Sequence, residues 1–283
     1  MRTIKLYFLL SQGQRRDKLA GENAQHFPPI MIDLHSHILP ALDDGPGTLE
    51  GSLELARAAV ADGIDVMAAT PHVRDDYPTT ADEMETAVER LRGELARAEI
   101  PLELRTGGEL AVDRLDLPRE ELRRFGLGGN SRYLLVETPY SGWPLDLAER
   151  FFRLQAGGFT PVLAHPERNA EVQADPARRL QPLVEGGTLV QLTAASVDGR
   201  LGRRAQAASA RLVELELAHL LGSDAHAPTI RAVGLTAAAE SLGDDALARW
   251  LTRDAPAAIL DGAPLPPRPA ARRRRRRRRF LFF

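Results

Sequence analysis

Seven short apolar runs of strand-like composition alternate with helical segments along this chain, and this alternation restricts the possible folds more than any other feature. The runs cover residues 31–34, 66–70, 102–106, 133–137, 160–164, 188–193 and 219–223. Alternating strands and helices are typical of a parallel sheet covered by helices. Seven repeats over about 240 residues predict an α/β fold, specifically a distorted seven-stranded (β/α)7 barrel of the TIM type. An open doubly wound sheet is the alternative, although no glycine-rich dinucleotide fingerprint follows the first run.

Start and stop signals support the helices between these runs. Thr80 and Glu83 have the spacing of a capping box, in which each side chain accepts a hydrogen bond from a free backbone amide. Asp175 precedes Pro176, a pair suited to the first residues of a helix. An apolar stripe at helical spacing ends at Gly63, and glycine favours helix termination. Local sequence signals therefore predict helices as well as strands, as the α/β class requires.

Composition excludes several kinds of catalytic site. The chain has no cysteine, so disulfides, thiolate metal sites and cysteine nucleophiles are absent. Lysine occurs only as Lys5 and Lys18, against 35 arginines. The region after residue 30 therefore has no P-loop lysine, no Schiff-base lysine and no carbamylated lysine that could bridge metals.

The formal net charge of −2 conceals an uneven distribution. Residues 1–30 carry +3 and the arginine run 272–279 carries +8, which leaves −13 on residues 31–271. An acidic body argues against nucleic acid as a partner. No apolar stretch approaches the roughly 20 residues that span a bilayer, and residues 6–10 are too short for a signal-peptide core. We therefore expect a cytoplasmic protein without an integral membrane segment.

The two ends of the chain set the expected domain boundaries. Residues 1–30 lack periodicity, and we expect a disordered or spurious extension there, followed by one catalytic domain over 31–262. Residues 263–283 join a proline-rich spacer to the arginine run, and we expect this tail to be disordered because it cannot bury apolar area. Binding of the arginine run to an anionic membrane or a phosphorylated partner is the functional alternative.

Ionisable residues gather where the predicted strands end. Five of the seven histidines lie there, namely His35, His37, His72, His165 and His226. Four acidic residues occupy comparable positions, namely Asp44, Glu109, Glu137 and Asp224. The carboxyl ends of parallel strands meet at one rim, where barrel enzymes build their active sites. His35 and His37 also share a face, because strand side chains alternate. This arrangement predicts a metal centre.

The ligand types indicate the chemistry. Imidazoles and carboxylates without thiolate suit Mn, Fe or Zn. Nine ligands exceed the needs of one ion, so we expect two or three ions, with Mn first. Such ions lower the pKa of water and clamp phosphate oxygens, which predicts phosphate-ester hydrolysis by a metal-activated hydroxide. Arg168 and Arg231 follow two of the histidines closely enough to hold phosphate. We expect His26 and His219 to bind no metal.

These motifs resemble the PHP superfamily, named for polymerases and histidinol phosphatases. His35-x-His37, Pro71-His72, His165 and Asp224-x-His226 match its four motifs in order. Six stretches are more closely similar to the bacterial metal-dependent tyrosine-protein phosphatases found with capsule and exopolysaccharide genes: 31–40, 43–46, 135–139, 165–169, 191–196 and 199–202. The resemblance extends from residue 31 to about residue 260 and excludes both ends.

The resemblance implies a PHP fold, a role for Arg168 and Arg231 in phosphate binding, and a set of metal ligands. The implied ligands are His35, His37, Asp44, His72, Glu109, Glu137, His165, Asp224 and His226. The implied substrate is phosphotyrosine on a protein, a tyrosine autokinase that controls polysaccharide export. A histidinol-phosphate phosphatase, or another small phosphomonoesterase of the superfamily, is the alternative, and a non-catalytic barrel with structural metal is a third possibility. The oligomeric state stays open.

Overall fold

The strands of the computed structural model, which describes residues 30–227 and 231–270, lie close to the predicted runs. They are β1 (Met31–Ser36), β2 (Ile64–Ala69), β3 (His72–Arg74), β4 (Tyr77–Pro78), β5 (Glu103–Arg105), β6 (Glu109–Ala111), β7 (Tyr133–Glu137), β8 (Thr160–Ala164), β9 (Leu189–Thr193) and β10 (Leu220–Gly222). All seven predicted strands are present. The additional strands β3, β4 and β6 contain two or three residues each.

Helices follow most of the strands, and their ends obey the local signals. Within the described ranges they are α1 (Leu49–Ala61), α2 (Ala81–Arg97), α3 (Arg119–Arg124), α4 (Leu147–Ala156), α5 (Ala170–Ala174), α6 (Pro176–Glu185), α7 (Ala194–Val197), α8 (Arg203–Glu214), α9 (Leu235–Leu242), α10 (Asp245–Arg249) and α11 (Ala255–Asp261). The capping box of Thr80 and Glu83 is confirmed at the start of α2. Asp175 caps α6 by accepting a hydrogen bond from the backbone N–H of Arg178.

Backbone hydrogen bonds join the strands into two sheets. The first has the spatial order β1-β2-β5, and the second has the order β10-β9-β8-β7-β6-β3-β4. The pairs are parallel except for the β3–β4 hairpin. The predicted α/β class with a parallel sheet is therefore confirmed, in the form of two hydrogen-bonded sheets.

Two chain segments pass directly from the first sheet to the second. Thr70 and Pro71 separate β2 from β3, and residues 106–108 separate β5 from β6. Proline has no amide donor for a sheet, which accounts for the first interruption. Gly107 and Gly108 occupy the second, and a Cβ on Gly108 would lie only 2.5 Å from the ring of Phe125. A short break that local sequence imposes therefore separates each of these two strands of the first sheet from the strand of the second sheet that follows it.

The sheets also meet between β1 and β10. Ser36 forms an isolated parallel bridge with Ala225. The buried Asp33 accepts hydrogen bonds at Oδ1 from the backbone N–H groups of His35 and Ser223, at 3.1 and 3.0 Å. Asp33 thus links β1, which carries the first predicted ligand, to the residue that directly follows β10.

Successive strand residues pack into two different apolar clusters. Along β7, Leu134 and Val136 belong to the larger cluster, which includes helix side chains, whereas Tyr133 and Leu135 belong to a smaller one made mostly of strand residues. Side chains alternate across a strand, so these parallel strands are buried on both faces. Glu137 follows Leu135 by two positions, and it therefore lies on the face of the smaller cluster.

At Gly222, β10 approaches its neighbours closely. A Cβ at this position would lie 2.8 Å from both His35 Cβ and Gln191 Nε2. We expect Gly222→Ala to lower the free energy of unfolding by about 1–3 kcal/mol, because the neighbours must shift. Gly93 in α2 is the matched control, since its Cβ would meet no atom within 4 Å. Gly93→Ala should stabilise the protein by about 0.5–1 kcal/mol. Urea denaturation measures both, and equal stability of the two variants would contradict the close approach.

The segment after α11 corrects one prediction. Trp250 Nε1 donates a hydrogen bond to the carbonyl oxygen of Pro266 at 3.0 Å. The Arg268 guanidinium donates to the carbonyl oxygens of Ala218 and Val213 and lies 5.4 Å from the Trp250 ring centre. Residues 263–270 are therefore packed rather than disordered, because the Trp250 indole and the carbonyl groups of Ala218 and Val213 hold them.

The remaining expectations about the chain ends lie outside the described residues. These concern residues 1–29, including His26, and residues 271–283, including the arginine run. In the part of the chain that the structure describes, no helix combines the length and apolar character needed to cross a bilayer.

Candidate metal centre

The structure brings all nine predicted ligands together in four overlapping groups. Within each group, one donor atom per residue lies within 4.8 Å of the others. The groups are His37–Asp44–His72–His226, His35–Glu109–His165, His35–His37–Asp224 and His72–Glu109–Glu137. Three histidines and Glu109 each belong to two groups, so neighbouring cations would share ligands.

Two of these residues are turned into the cluster by unusual backbone conformations. His165 directly follows β8 with φ of 32°, and Asp224 lies just after β10 with φ of 52°. A positive φ is costly for a residue other than glycine and persists only where the surrounding structure enforces it. The left-handed conformation ends the alternation of side chains between the two faces of the strand. It turns the side chains of His165 and Asp224 toward the cluster.

Glu109 occupies the centre of the cluster. Its Oε1 lies 2.8 Å from His165 Nε2 and 3.3 Å from His35 Nε2. Its Oε2 lies 2.9 Å from His72 Nδ1 and 3.3 Å from His37 Nε2. Both oxygens of one carboxylate thus face imidazole nitrogens from four different ligands, as expected of a bridging carboxylate.

The donor atoms fit divalent cations. Glu109 Oε2 and His72 Nδ1 are buried, and neither makes a hydrogen bond within the described residues, although they are only 2.9 Å apart. A buried polar atom that makes no hydrogen bond costs roughly 1–3 kcal/mol, which a bound cation would offset. The set contains nitrogen and oxygen ligands and no thiolate, a combination that suits Mn, Fe or Zn. The residues present therefore fit a cluster of metal ions.

Opposite charges keep the buried carboxylates ionised. Burial by itself raises the pKa of Glu109, but the charge of His35 and a hydrogen bond with His165 hold that pKa well below its usual range. Burial likewise opposes ionisation of Asp224, whose pKa is held well below normal by a hydrogen bond with His37 and by the charge of His35. Burial would lower the pKa of His37, yet its hydrogen bonds with Asp224 and a second carboxylate raise it well above normal. The carboxylates thus create a field that favours cations.

Two residues outside the predicted site orient its ligands. Asp43 Oδ2 accepts a hydrogen bond from His37 Nδ1 at 2.6 Å. Gln191 Oε1 accepts one from His35 Nδ1 at 3.0 Å and another from the backbone N–H of His165 at 3.2 Å. A hydrogen bond at Nδ1 leaves Nε2 as the ligand atom. Two sequence signals could have found these residues. Asp43 is a carboxylate next to Asp44, and Gln191 is a polar residue within an apolar strand.

Both predicted arginines reach the cluster. Arg168 Nη1 donates a hydrogen bond to Asp224 Oδ2 at 2.6 Å, and the guanidinium carbon lies 4.5 Å from the ring centre of Tyr140. Arg231 Nη1 lies 3.6 Å from Asp44 Oδ2. The two arginine side chains are 14% and 28% exposed, so both can meet a ligand that arrives from solvent.

The β3–β4 hairpin adds a third arginine that sequence analysis missed. Arg74 Nη1 donates a hydrogen bond to Glu137 Oε2 at 3.4 Å, and its guanidinium carbon lies 5.2 Å from the ring centre of Tyr77. The Tyr77 ring stacks on His72, with 5.8 Å between centres. Strands of two and three residues have no periodicity, so the sequence offered no signal for this hairpin.

His219 belongs to none of the four groups in the described part of the chain. It precedes β10, and its Nδ1 accepts a hydrogen bond from the backbone N–H of Val190 at 3.1 Å. Its ring lies 6.5 Å from the ring of Trp250. Burial, together with the charge of Arg268, lowers the pKa of His219 to about 4.

His219 should make the protein sensitive to mild acid. A histidine in the unfolded chain titrates near pH 6.5. Since the folded pKa is lower, the contribution of His219 to stability is complete above pH 6.5 and is lost as the pH falls toward 4. The free energy of unfolding of the parent should fall between pH 7 and pH 5. We expect this fall to be about 2 kcal/mol smaller in His219→Gln. Urea denaturation at both pH values tests this, and identical pH dependence of variant and parent would contradict it.

Known proteins resemble this chain over most of its length. Residues 31–261 match the family described as capsular polysaccharide synthesis, CpsB/CapC. The tyrosine-protein phosphatase YwqE of Bacillus subtilis (strain 168) is 40% identical over 200 residues, which are 69% of this chain and 77% of that protein. The putative tyrosine-protein phosphatase CapC of Staphylococcus aureus is 32% identical over 204 residues, which are 71% of this chain and 79% of that protein.

Solved structures show the same fold. One belongs to the crystal structures of YwqE from Bacillus subtilis and CpsB from Streptococcus pneumoniae, described as unique metal-dependent tyrosine phosphatases. It matches with a TM-score of 0.77 and 37% identity, over 86% of this chain and all of that chain. A β-aspartyl dipeptidase from Fervidobacterium islandicum matches with a TM-score of 0.52 and 14% identity, over 82% of this chain and 72% of that chain. The second match concerns the fold alone.

Proposed function

Because this chain belongs to the capsular polysaccharide synthesis family CpsB/CapC, we propose that it is a metal-dependent protein-tyrosine phosphatase. The observation that carries the proposal is the single cluster of five imidazoles and four carboxylates, with two arginines beside it. Divalent cations and guanidinium groups both recognise phosphate oxygens. Relatives that are 40% and 32% identical are named tyrosine-protein phosphatases, which supports the substrate class.

We assign two or three divalent ions to the cluster. Four overlapping ligand groups support more than one ion. Mn is the first candidate, with Fe or Zn as alternatives, since all three accept mixed imidazole and carboxylate ligands. When bound, such ions lower the pKa of water and neutralise phosphate oxygens. The proposed ligands are His35, His37, Asp44, His72, Glu109, Glu137, His165, Asp224 and His226.

The chain's own residues supply the binding of the phosphate group. Arg168 is held by Asp224 and Arg231 lies beside Asp44, so each guanidinium has further N–H donors for phosphate oxygens. The chain has no cysteine, and a phosphocysteine intermediate is therefore impossible. The phenolate of tyrosine, whose parent pKa is near 10, needs less protonation on leaving than the alkoxide of serine.

We propose that residues 31–262 form one distorted seven-stranded barrel around this site. The breaks inside β2–β3 and β5–β6 are short, so each pair is treated as one strand, and β4 is a hairpin appendage. The Ser36–Ala225 bridge and the Asp33 hydrogen bonds support closure between β1 and β10. The smaller apolar cluster would then fill the barrel interior, as in barrels of the TIM type.

The proposed physiological substrate is a cytoplasmic tyrosine autokinase that controls polysaccharide export. The family's description as a capsular polysaccharide synthesis family supports this class of partner. The charge of −13 on residues 31–271 disfavours nucleic acid as a substrate. Histidinol phosphate is the alternative substrate, because it requires the same phosphate chemistry.

A substrate panel with added Mn²⁺ tests the proposal. We expect a phosphotyrosine peptide to be hydrolysed about 100-fold more efficiently than a phosphoserine peptide or histidinol phosphate. A strong chelator should abolish turnover, and Mn²⁺ should restore it. A preference for histidinol phosphate would support the alternative enzyme. Metal binding without any turnover would support a structural metal, and full activity after chelation would refute a role for metal.

A further inference from the structure

Tyr140 presents an aromatic ring to solvent directly beside the metal centre. The residue is 45% exposed and follows β7 by three positions. Its ring centre lies 4.5 Å from the guanidinium carbon of Arg168 and 6.1 Å from the ring centre of His165. A large apolar surface thus remains open next to a proposed phosphate-binding group and a proposed metal ligand.

The loop that carries Tyr140 is held in place by the loop after β8. Asn169 Nδ2 donates hydrogen bonds to the carbonyl oxygens of Pro139 and Gly142, at 2.7 and 3.2 Å. The backbone N–H of Ala170 donates to the carbonyl oxygen of Tyr140 at 3.0 Å. The same loop contains His165 and Arg168, so the ring and the phosphate-binding group keep a fixed relation. A surface ordered before binding loses little entropy when a ligand arrives.

We propose that Tyr140 is a specificity-determining residue whose exposed ring packs against the phenyl ring of the phosphotyrosine substrate. The inference rests on the proposed function. Eight of the nine proposed ligands are buried and only Asp44 is exposed, so a phosphate held at Arg168 must have its ester substituent directed toward solvent, and Tyr140 borders that route. Aromatic rings attract each other at centre distances of 4.5–7 Å. A serine or alkyl phosphate has no ring to place there.

A purely structural role for Tyr140 makes a different prediction. The ring could serve only to hold the Arg168 guanidinium through a cation–π contact. Loss of the ring would then weaken the binding of every phosphate compound equally, whether or not that compound contains an aromatic group. Inorganic phosphate, which has no ring, therefore separates the two roles.

The test compares Tyr140→Ala and Tyr140→Phe with the parent enzyme, all loaded with Mn²⁺. The readouts are KM for free phosphotyrosine and Ki for inorganic phosphate as a competitive inhibitor. We expect Tyr140→Ala to raise KM about tenfold and to change Ki by less than about twofold. Tyr140→Phe keeps the ring and should retain both parent values. Leu145→Ala is the matched control, because Leu145 lies on the same loop, is 98% exposed and should leave both values unchanged.

The possible outcomes separate this inference from the proposed function. Equal increases in KM and Ki for Tyr140→Ala would overturn it in favour of positioning of Arg168 alone. Unchanged KM in that variant, or a tenfold increase in Tyr140→Phe, would also overturn it. A parent enzyme that binds Mn²⁺ but does not hydrolyse phosphotyrosine would refute the proposed function itself, and this is established before any variant is compared.

Discussion

Glu109→Gln is expected to lower kcat/KM for a phosphotyrosine peptide by about 10³-fold and to reduce the amount of bound metal. The substitution keeps the shape of the side chain but removes its charge and one of its two acceptor oxygens. Both oxygens of Glu109 face the imidazoles of His35, His37, His72 and His165. Two of the four ligand groups therefore lose their shared anion at once, and neighbouring cations lose the charge that offsets their repulsion.

Metal analysis and steady-state kinetics on the same preparation test this prediction. Glu103→Gln is the matched control, since Glu103 lies on β5 just before the break that precedes β6 and its side chain is 39% exposed. The control should keep parent activity and metal content. Parent-like metal content and turnover in Glu109→Gln would show that Glu109 does not bridge the site.

Arg168→Ala is expected to lower kcat about 10²–10³-fold while leaving the metal content unchanged. Arg168 binds Asp224 through Oδ2, whereas Oδ1 of Asp224 faces His35 and His37 at 3.5 and 3.4 Å. Loss of the arginine therefore removes phosphate contacts without removing the oxygen that faces the cluster. Arg168→Lys keeps the charge but not the planar fork of donors, and its loss should be intermediate.

Kinetics combined with metal analysis distinguish this arginine from the ligands. Arg153→Ala on α4 serves as the control, because Arg153 is exposed and pairs only with Glu149 among the described residues. It should behave as the parent. If Arg168→Ala lost metal in proportion to activity, its role would be to hold Asp224 rather than to bind phosphate.

The elements that could be predicted are those with local signals. The seven apolar runs became strands because their length and apolar character suit burial on both faces. The capping box of Thr80 and Glu83 and the Asp175–Pro176 pair depend on atoms within four residues, and both predictions were correct. The strands β3, β4 and β6 were missed, since two or three residues after a break contain no periodicity. The packed segment 263–270 was missed because its contacts with Trp250 and Ala218 join distant parts of the chain.

The residues of the candidate site could be recognised in the sequence, since parallel strands bring their carboxyl ends to one rim, where side chains from different strands can meet. Residue types and strand ends were therefore enough to predict nine side chains in one cluster. Only the tertiary structure decided which of them share a neighbour, how Asp43 and Gln191 orient the imidazoles, and where Tyr140 borders the opening. Gln191 and His35 are 156 residues apart in sequence. Such contacts depend on packing between elements, which no local pattern encodes.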